Sequence, residues 1–148
     1  MGMTRIPFDF KEFLKLLREH DVRYLLVGGY AVGYHGYVRA TGDMDIWVEP
    51  TAENAKKVLK VLAEFGFPAS SLPPGTLEKH DQIIRMGIPP VRIELMSSIS
   101  GVEFDSCFSK KVVDQIDGVI VNIIGREELK SNKKAAGRHK DLDDFEHL

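Results

Sequence analysis

The run Tyr24-Leu25-Leu26-Val27, stopped by Gly28-Gly29, constrains the fold of this chain more than any other stretch. Apolar residues in unbroken succession read as a strand buried on both faces, and such a strand needs covering layers on either side. The flanking pattern supplies them. Pro7 opens a helical pattern in which Phe10, Phe13, Leu14, Leu16 and Leu17 recur at helical spacing, and Asp21 ends it. Beyond the glycines, 30–37 is a short, glycine-broken helix candidate, and Met44–Glu49, with Ile46, Trp47 and Val48, reads as a second strand. Thr51 then caps a helix whose apolar face carries Ala55, Val58, Leu59, Leu62 and Phe65, and Gly66 closes it. The stretch 69–75 is a loop by its serines and prolines. Gln82–Met86 and Val91–Ser97 predict a hairpin joined by Gly87-Ile88-Pro89-Pro90, and Lys111–Val113 and Val119–Ile124 a second pair around Asp117-Gly118. From Arg126 the pattern is helical again, with a break at Gly137 and a docking face at Leu142 and Phe145. This order of elements predicts an α/β (α+β) fold with a helical C-terminal tail, and the chain is too short for an eight-stranded barrel.

A length of 148 residues predicts a single domain, 1–148, able to bury its own core without disulfides or a structural metal. The composition, 43% hydrophobic and 28% charged, excludes a disordered chain. With a net charge of −2, the molecule as a whole has no attraction for nucleic acid, so any such contact needs a local patch. One cysteine, Cys107, excludes an internal disulfide and a cysteine metal cluster. No apolar run approaches the ~20 residues of a membrane span. Asp9, Lys11 and Glu12 interrupt any signal-peptide pattern, which sets a cytoplasmic location as the expectation.

Two familiar phosphate-binding patterns fail. A dinucleotide fingerprint needs a different glycine register, and Tyr30 stands in its way. Gly28 and Gly33 have P-loop separation, but Tyr34-His35 follows where Lys-Ser/Thr is required. What remains is a strand, a glycine pair, a short helix, and a strand opened by Asp43-Met44-Asp45. Side chains two apart on a strand point the same way, so Asp43 and Asp45 present two carboxylates to one side, about 6–7 Å apart along the strand. Hard oxygen ligands in that arrangement suit Mg²⁺ or Mn²⁺ on a triphosphate. The bare backbone of Gly28 and Gly29 lets a phosphate approach the following helix N-terminus. Glu94 is an acid inside the apolar stretch Val91–Met96, and it needs a partner or a metal there. The plainer alternative is that the aspartates cap a strand and Glu94 pairs with Arg92 or a lysine.

Leu26-Val27-Gly28-Gly29, Arg39-Ala40-Thr41-Gly42-Asp43-Met44-Asp45 and Glu94 together resemble the nucleotidyltransferase fold of the DNA polymerase β superfamily. Within it the chain resembles the small bacterial AbiEii-type and MNT-type toxin–antitoxin nucleotidyltransferases, whose C-terminal Lys…Arg-x-Lys-Asp segment is similar to the tail Lys134…Arg138-His139-Lys140-Asp141. The resemblance runs from about Tyr24 to the C-terminus and is poor in the middle loop. It implies a mixed sheet flanked by helices, two metal ions on Asp43, Asp45 and Glu94, and transfer of a nucleoside monophosphate from an NTP to a hydroxyl. Glu94 is the family-like acceptor of the hydroxyl proton. Many active members carry Gly-Ser where this chain has Gly28-Gly29, which leaves the contact to backbone amides. Lys134 is the triphosphate lysine by analogy with the family.

Arg39 is suited to neutralise a phosphate and Thr41 to orient a carboxylate, although a loop arginine and a turn threonine are also ordinary. Lys130, Lys133, Lys134, Arg138 and Lys140 form either a phosphate or RNA patch or a solvated helix face. The five histidines lack metal spacing, and only His35 lies near the glycine pair. Tyr30, Tyr34 and Tyr37 read as packing groups. The expected function is a metal-dependent nucleotidyltransferase acting on a hydroxyl of tRNA, a protein or a small molecule, with a cognate toxin or antitoxin as partner and no membrane. The competing expectation is a degenerate module of the same fold that binds nucleotide, RNA or a partner protein without catalysis. A glycosyltransferase using Asp-x-Asp would need a longer chain.

Overall fold

The apolar run 24–27 lies near the centre of a six-stranded sheet. The structure is a computed structural model that describes residues 5–39 and 41–148, so Ala40 of the motif and residues 1–4 lie outside the described residues. Helix α1 (Phe8–Glu19) precedes β1 (Tyr24–Val27), whose four residues are all buried. Helix α2 (Gly28–Tyr34) starts on the glycines themselves, two residues earlier than its sequence pattern suggests. Then come β2 (Met44–Val48), α3 (Ala52–Phe65), two short 3₁₀ turns at 69–71 and 76–78, and the hairpin β3 (Ile83–Ile88) and β4 (Val91–Met96). Helix α4 (Phe104–Ser109), the hairpin β5 (Val112–Ile116) and β6 (Val119–Ile123), and helices α5 (Arg126–Ala136) and α6 (His139–His147) complete the chain.

The strand order is β3-β4-β2-β1-β6-β5. β1 runs antiparallel to β2 and parallel to β6, and β2 runs parallel to β4, so the sheet is mixed. Helix α1 buries Phe10, Phe13, Leu14 and Leu17 and packs against α3 and β6. Thr51 caps α3 by accepting from the Asn54 amide at 3.3 Å, and Gly66 ends it in a left-handed conformation (φ 98°). Of the face expected to be buried, Leu59 is exposed, and Val61 takes a core position instead. In the first hairpin Gly87 and Ile88 belong to β3, leaving only Pro89-Pro90 as the connection. β5 is longer than expected, and α4 fills a segment with no sequence assignment. Cys107 is buried on α4. Among the described residues no helix is long and apolar enough to cross a membrane.

The tail folds as two helices broken at Gly137, which is left-handed (φ 72°). Its docking differs from the expectation. Leu142 is exposed, and α6 instead buries Asp141, Asp144 and Leu148. Two buried carboxylates on one helix face require cations, and Lys133 of α5 supplies one, 3.4 Å from Asp141 and 3.1 Å from Asp144.

Candidate functional site

Cross-strand register assembles a polar row on the sheet. Val27, at the end of β1, pairs with Asp45 on β2; Asp45 pairs with Glu94 on β4; Glu94 pairs with Arg85 on β3. Residues directly opposite on adjacent strands share a face, so Asp45, Glu94 and Arg85 stand side by side. Two residues before Asp45, Asp43 meets Arg92, which is two residues before Glu94 on the parallel strand. Asp43, Asp45, Glu94 and Arg85 open into a polar cleft also lined by Gly29, Thr41, Gly42, Arg138 and Lys140, with Arg92 behind Asp43 outside the lining.

The glycine pair closes one end. Gly28 has φ 67°, in the left-handed region, and a Cβ there would overlap the Asp45 carboxylate. Glycine at 28 therefore serves both the turn from β1 into α2 and the close approach of Asp45. A Cβ at Gly29 would overlap the Thr41 hydroxyl, so the space a side chain at 29 would enter is taken by the side chain of Thr41.

The acids differ in their partners. Asp43 Oδ2 accepts from Arg92 Nη2 at 2.8 Å and Nε at 3.2 Å. Glu94 Oε2 accepts from Arg85 Nε at 2.8 Å and lies 3.6 Å from Arg92 Nη2. Asp45 Oδ1 is buried without a hydrogen-bond partner among the described residues. Burial pushes the Asp45 carboxyl up to about 7, with the charges of Glu94 and Asp43 adding to it and Lys133 and Lys140 opposing. A buried, unsatisfied carboxylate oxygen is costly, and in a cleft with two further carboxylates it fits a hard divalent cation such as Mg²⁺ or Mn²⁺. As the side chains stand, no three His, Cys, Asp or Glu among the described residues are gathered as a ready metal-ligand set. Asp43 and Glu94 are turned to arginines instead.

The remaining residues singled out in the sequence fall in different places. Arg39 donates from Nε and Nη2 to the fully buried Asp144 at 2.6 and 2.7 Å, tying the segment before Asp43 to α6. Lys134 is exposed, does not line the cleft, and lies 5.9 Å from the centroid of the Phe145 ring. Its neighbour Lys133 points inward, and Arg138 and Lys140 are the tail cations that reach the cleft. Arg138 is held there by Asp141, which accepts from its Nε at 2.7 Å. The arginines Arg85 and Arg92 carried no sequence signal beyond proximity to Glu94, because their role depends on register. His35 contacts the Ile124 carbonyl at 2.7 Å. Tyr30 meets Phe10 edge-on, Tyr34 donates to Asp114, and Tyr37 stacks on His147.

The fold also occurs in solved structures. A candidate nucleotidyltransferase of Thermotoga maritima, TM1012, superposes with a TM-score of 0.64 at 13% identity, over 93% of this chain and 88% of that one. The fold is that of a nucleotidyltransferase. An antigenic nucleotidyltransferase-like protein from Paracoccidioides brasiliensis superposes with a TM-score of 0.51 at 15% identity, over 92% of this chain and 72% of that one. No protein-family model matches the sequence, and no curated protein matches it significantly.

Proposed function

We propose that the protein is a metal-dependent nucleotidyltransferase of the AbiEii/MNT type, moving a nucleoside monophosphate from an NTP to a hydroxyl. The observation that carries this reading is the row Val27–Asp45–Glu94, which sets two acids beside the glycine turn with Asp43 in the same cleft. In this reading Asp43, Asp45 and Glu94 hold Mg²⁺ or Mn²⁺. The bound ions supply charge neutralisation for the triphosphate and the attacking oxygen. Gly29 lines the cleft at the start of α2, Thr41 offers its hydroxyl above it, and Arg138 and Lys140 neutralise phosphate charge from the tail. The acceptor oxygen bonds to the α-phosphorus, the bond to the β-phosphate oxygen breaks, and pyrophosphate leaves. Glu94, beside Asp45 in the same row, is placed to take the hydroxyl proton. The acceptor is a hydroxyl of tRNA, protein or a small molecule, in a toxin–antitoxin setting.

The test is incubation with α-labelled NTPs, Mg²⁺ and total cellular RNA and protein. Label should pass to one acceptor class with the parent and be lost with Asp45→Asn. Equal transfer by Asp45→Asn would overturn the assignment. The arginines on Asp43 and Glu94 favour a second reading, a non-catalytic nucleotide-binding module; binding of Mn²⁺–ATP without label transfer to any acceptor would select it.

A further inference from the structure

Two acids of the cleft, Asp43 and Glu94, carry arginine counter-ions. Arg92 lies over Asp43 with two nitrogens on one carboxylate oxygen and reaches Glu94 at 3.6 Å. Arg85 holds the other side of Glu94 at 2.8 Å. Among the described residues both guanidinium groups pair with these acids alone, so nothing outside the acid cluster fixes either side chain. Their side chains are 31% and 56% exposed, which leaves room to turn.

We infer that Arg92 and Arg85 are exchangeable counter-ions. They neutralise Asp43 and Glu94 while the cleft is without a divalent cation, and they turn to the triphosphate when cation and nucleotide are bound. The inference rests on the reading that Asp43, Asp45 and Glu94 hold the cation. The physical argument is one of competition. Three carboxylates in one cleft repel one another, and a guanidinium that lies on two of them relieves this. A divalent cation needs the same oxygens, so each arginine opposes its binding. Once displaced, the Arg85 fork is in the cleft itself and the Arg92 fork is at its edge beside Asp43 and Glu94, and either matches phosphate oxygens in geometry and charge. Each arginine therefore acts with opposite sign on two events: it weakens binding of the bare cation and strengthens binding of nucleotide to the cation-loaded protein. A surface arginine would do neither, and a plain phosphate ligand would do only the second.

The experiment is titration of Mn²⁺ followed by the electron paramagnetic resonance of the free ion, first alone and then with ATP added to the Mn²⁺-loaded protein. Arg92→Gln is expected to bind Mn²⁺ alone about tenfold more tightly than the parent, while the loaded protein binds ATP about tenfold more weakly. Arg85→Gln should show the same two signs with smaller size, because it touches one acid only, and it serves should Arg92→Gln misfold. Arg92→Lys should keep the opposition to Mn²⁺ and lose the gain for ATP, since an ammonium has no fork. If Asp43→Asn abolishes Mn²⁺ binding while Arg92→Gln and Arg85→Gln leave both constants unchanged, the counter-ion role is wrong and the acid site stands. If Asp43→Asn binds Mn²⁺ as the parent does, or the parent binds none, the acid site is wrong and the counter-ion role falls with it.

Discussion

Asp45 carries a free-energy penalty that the rest of the molecule tolerates. One of its oxygens is buried without a partner, and Glu94 and Asp43 add repulsion. The carboxyl moves from 3.8 to about 7. The direction of the pH effect follows by linkage. Between about pH 4 and pH 7 the unfolded chain has lost this proton while the folded chain retains it, so stability falls as pH rises through that window and is flat above it. The full difference is up to about 4 kcal/mol. Asp45→Asn removes the penalty, so in divalent-free buffer it should melt above the parent at pH 8 and together with it at pH 4. Calorimetric melts across that range check this, and a gap of constant size at every pH would refute it. The two aspartates and Glu94 were legible one by one in the sequence, as an Asp-x-Asp at a strand start and a lone acid in an apolar strand. Their adjacency follows in the sequence only from the family resemblance, because the pairing of Asp45 with Glu94 joins strands 49 residues apart, and local spacing carries no register.

The helical tail shows what a periodicity reading misses. In the sequence Lys130–Lys140 is either a phosphate or RNA patch or a solvated basic face, and Leu142 and Phe145 look like the groups that dock it. The helices dock instead through Leu129, Leu148 and a buried charge cluster in which Lys133 is 5% exposed, Asp141 1% and Asp144 0%. Burial alone would push Asp144 up, but hydrogen bonds from Arg39 and Lys133 outweigh it and hold its carboxyl below the usual range. The spacing Asp141, Asp144, Leu148 marks one helix face, and that was the available signal. Polar residues are normally assigned to solvent, which hid it. Helix α4 was missed for a different reason, since six residues are too few to show a period. The buried network sets a prediction. Asp144→Ala leaves Lys133 and Arg39 facing a hole and should lower unfolding free energy by about 3–5 kcal/mol. Lys134→Ala, one residue from Lys133 but exposed, should stay within about 0.5 kcal/mol of the parent. Urea unfolding distinguishes them; equal losses would mean that the hydrogen bonds to Asp144 contribute nothing.

At the scale of the whole molecule, a chain of net charge −2 offers no general attraction to anions, so the proposed triphosphate site needs cations concentrated locally. The fold does so by returning its last helices to the first half of the sheet. Arg39, just before β2, is fastened to Asp144 on α6, and this junction carries Arg138 and Lys140 to a cleft whose acids belong to residues 43–94. Arg138 is presented by Asp141, itself fixed by the buried Lys133. The arrangement separates three cations that look alike in sequence. Arg138→Gln and Lys140→Gln should each weaken Mn²⁺–ATP binding by about three- to tenfold at low salt; Lys140→Gln should leave the melting temperature unchanged, because its side chain is exposed, whereas Arg138→Gln should lower it by giving up the hydrogen bonds to the buried Asp141. The deficit should shrink as salt rises, since solvent-facing charges are screened over a Debye length of about 10 Å at 0.1 M. Lys134→Gln should bind as the parent does at every salt concentration. Isothermal titration of the three variants at low and high ionic strength makes the comparison. A loss at Lys134→Gln as large as that at Arg138→Gln would mean that the triphosphate lies along α5 and not in the cleft of Asp43, Asp45 and Glu94.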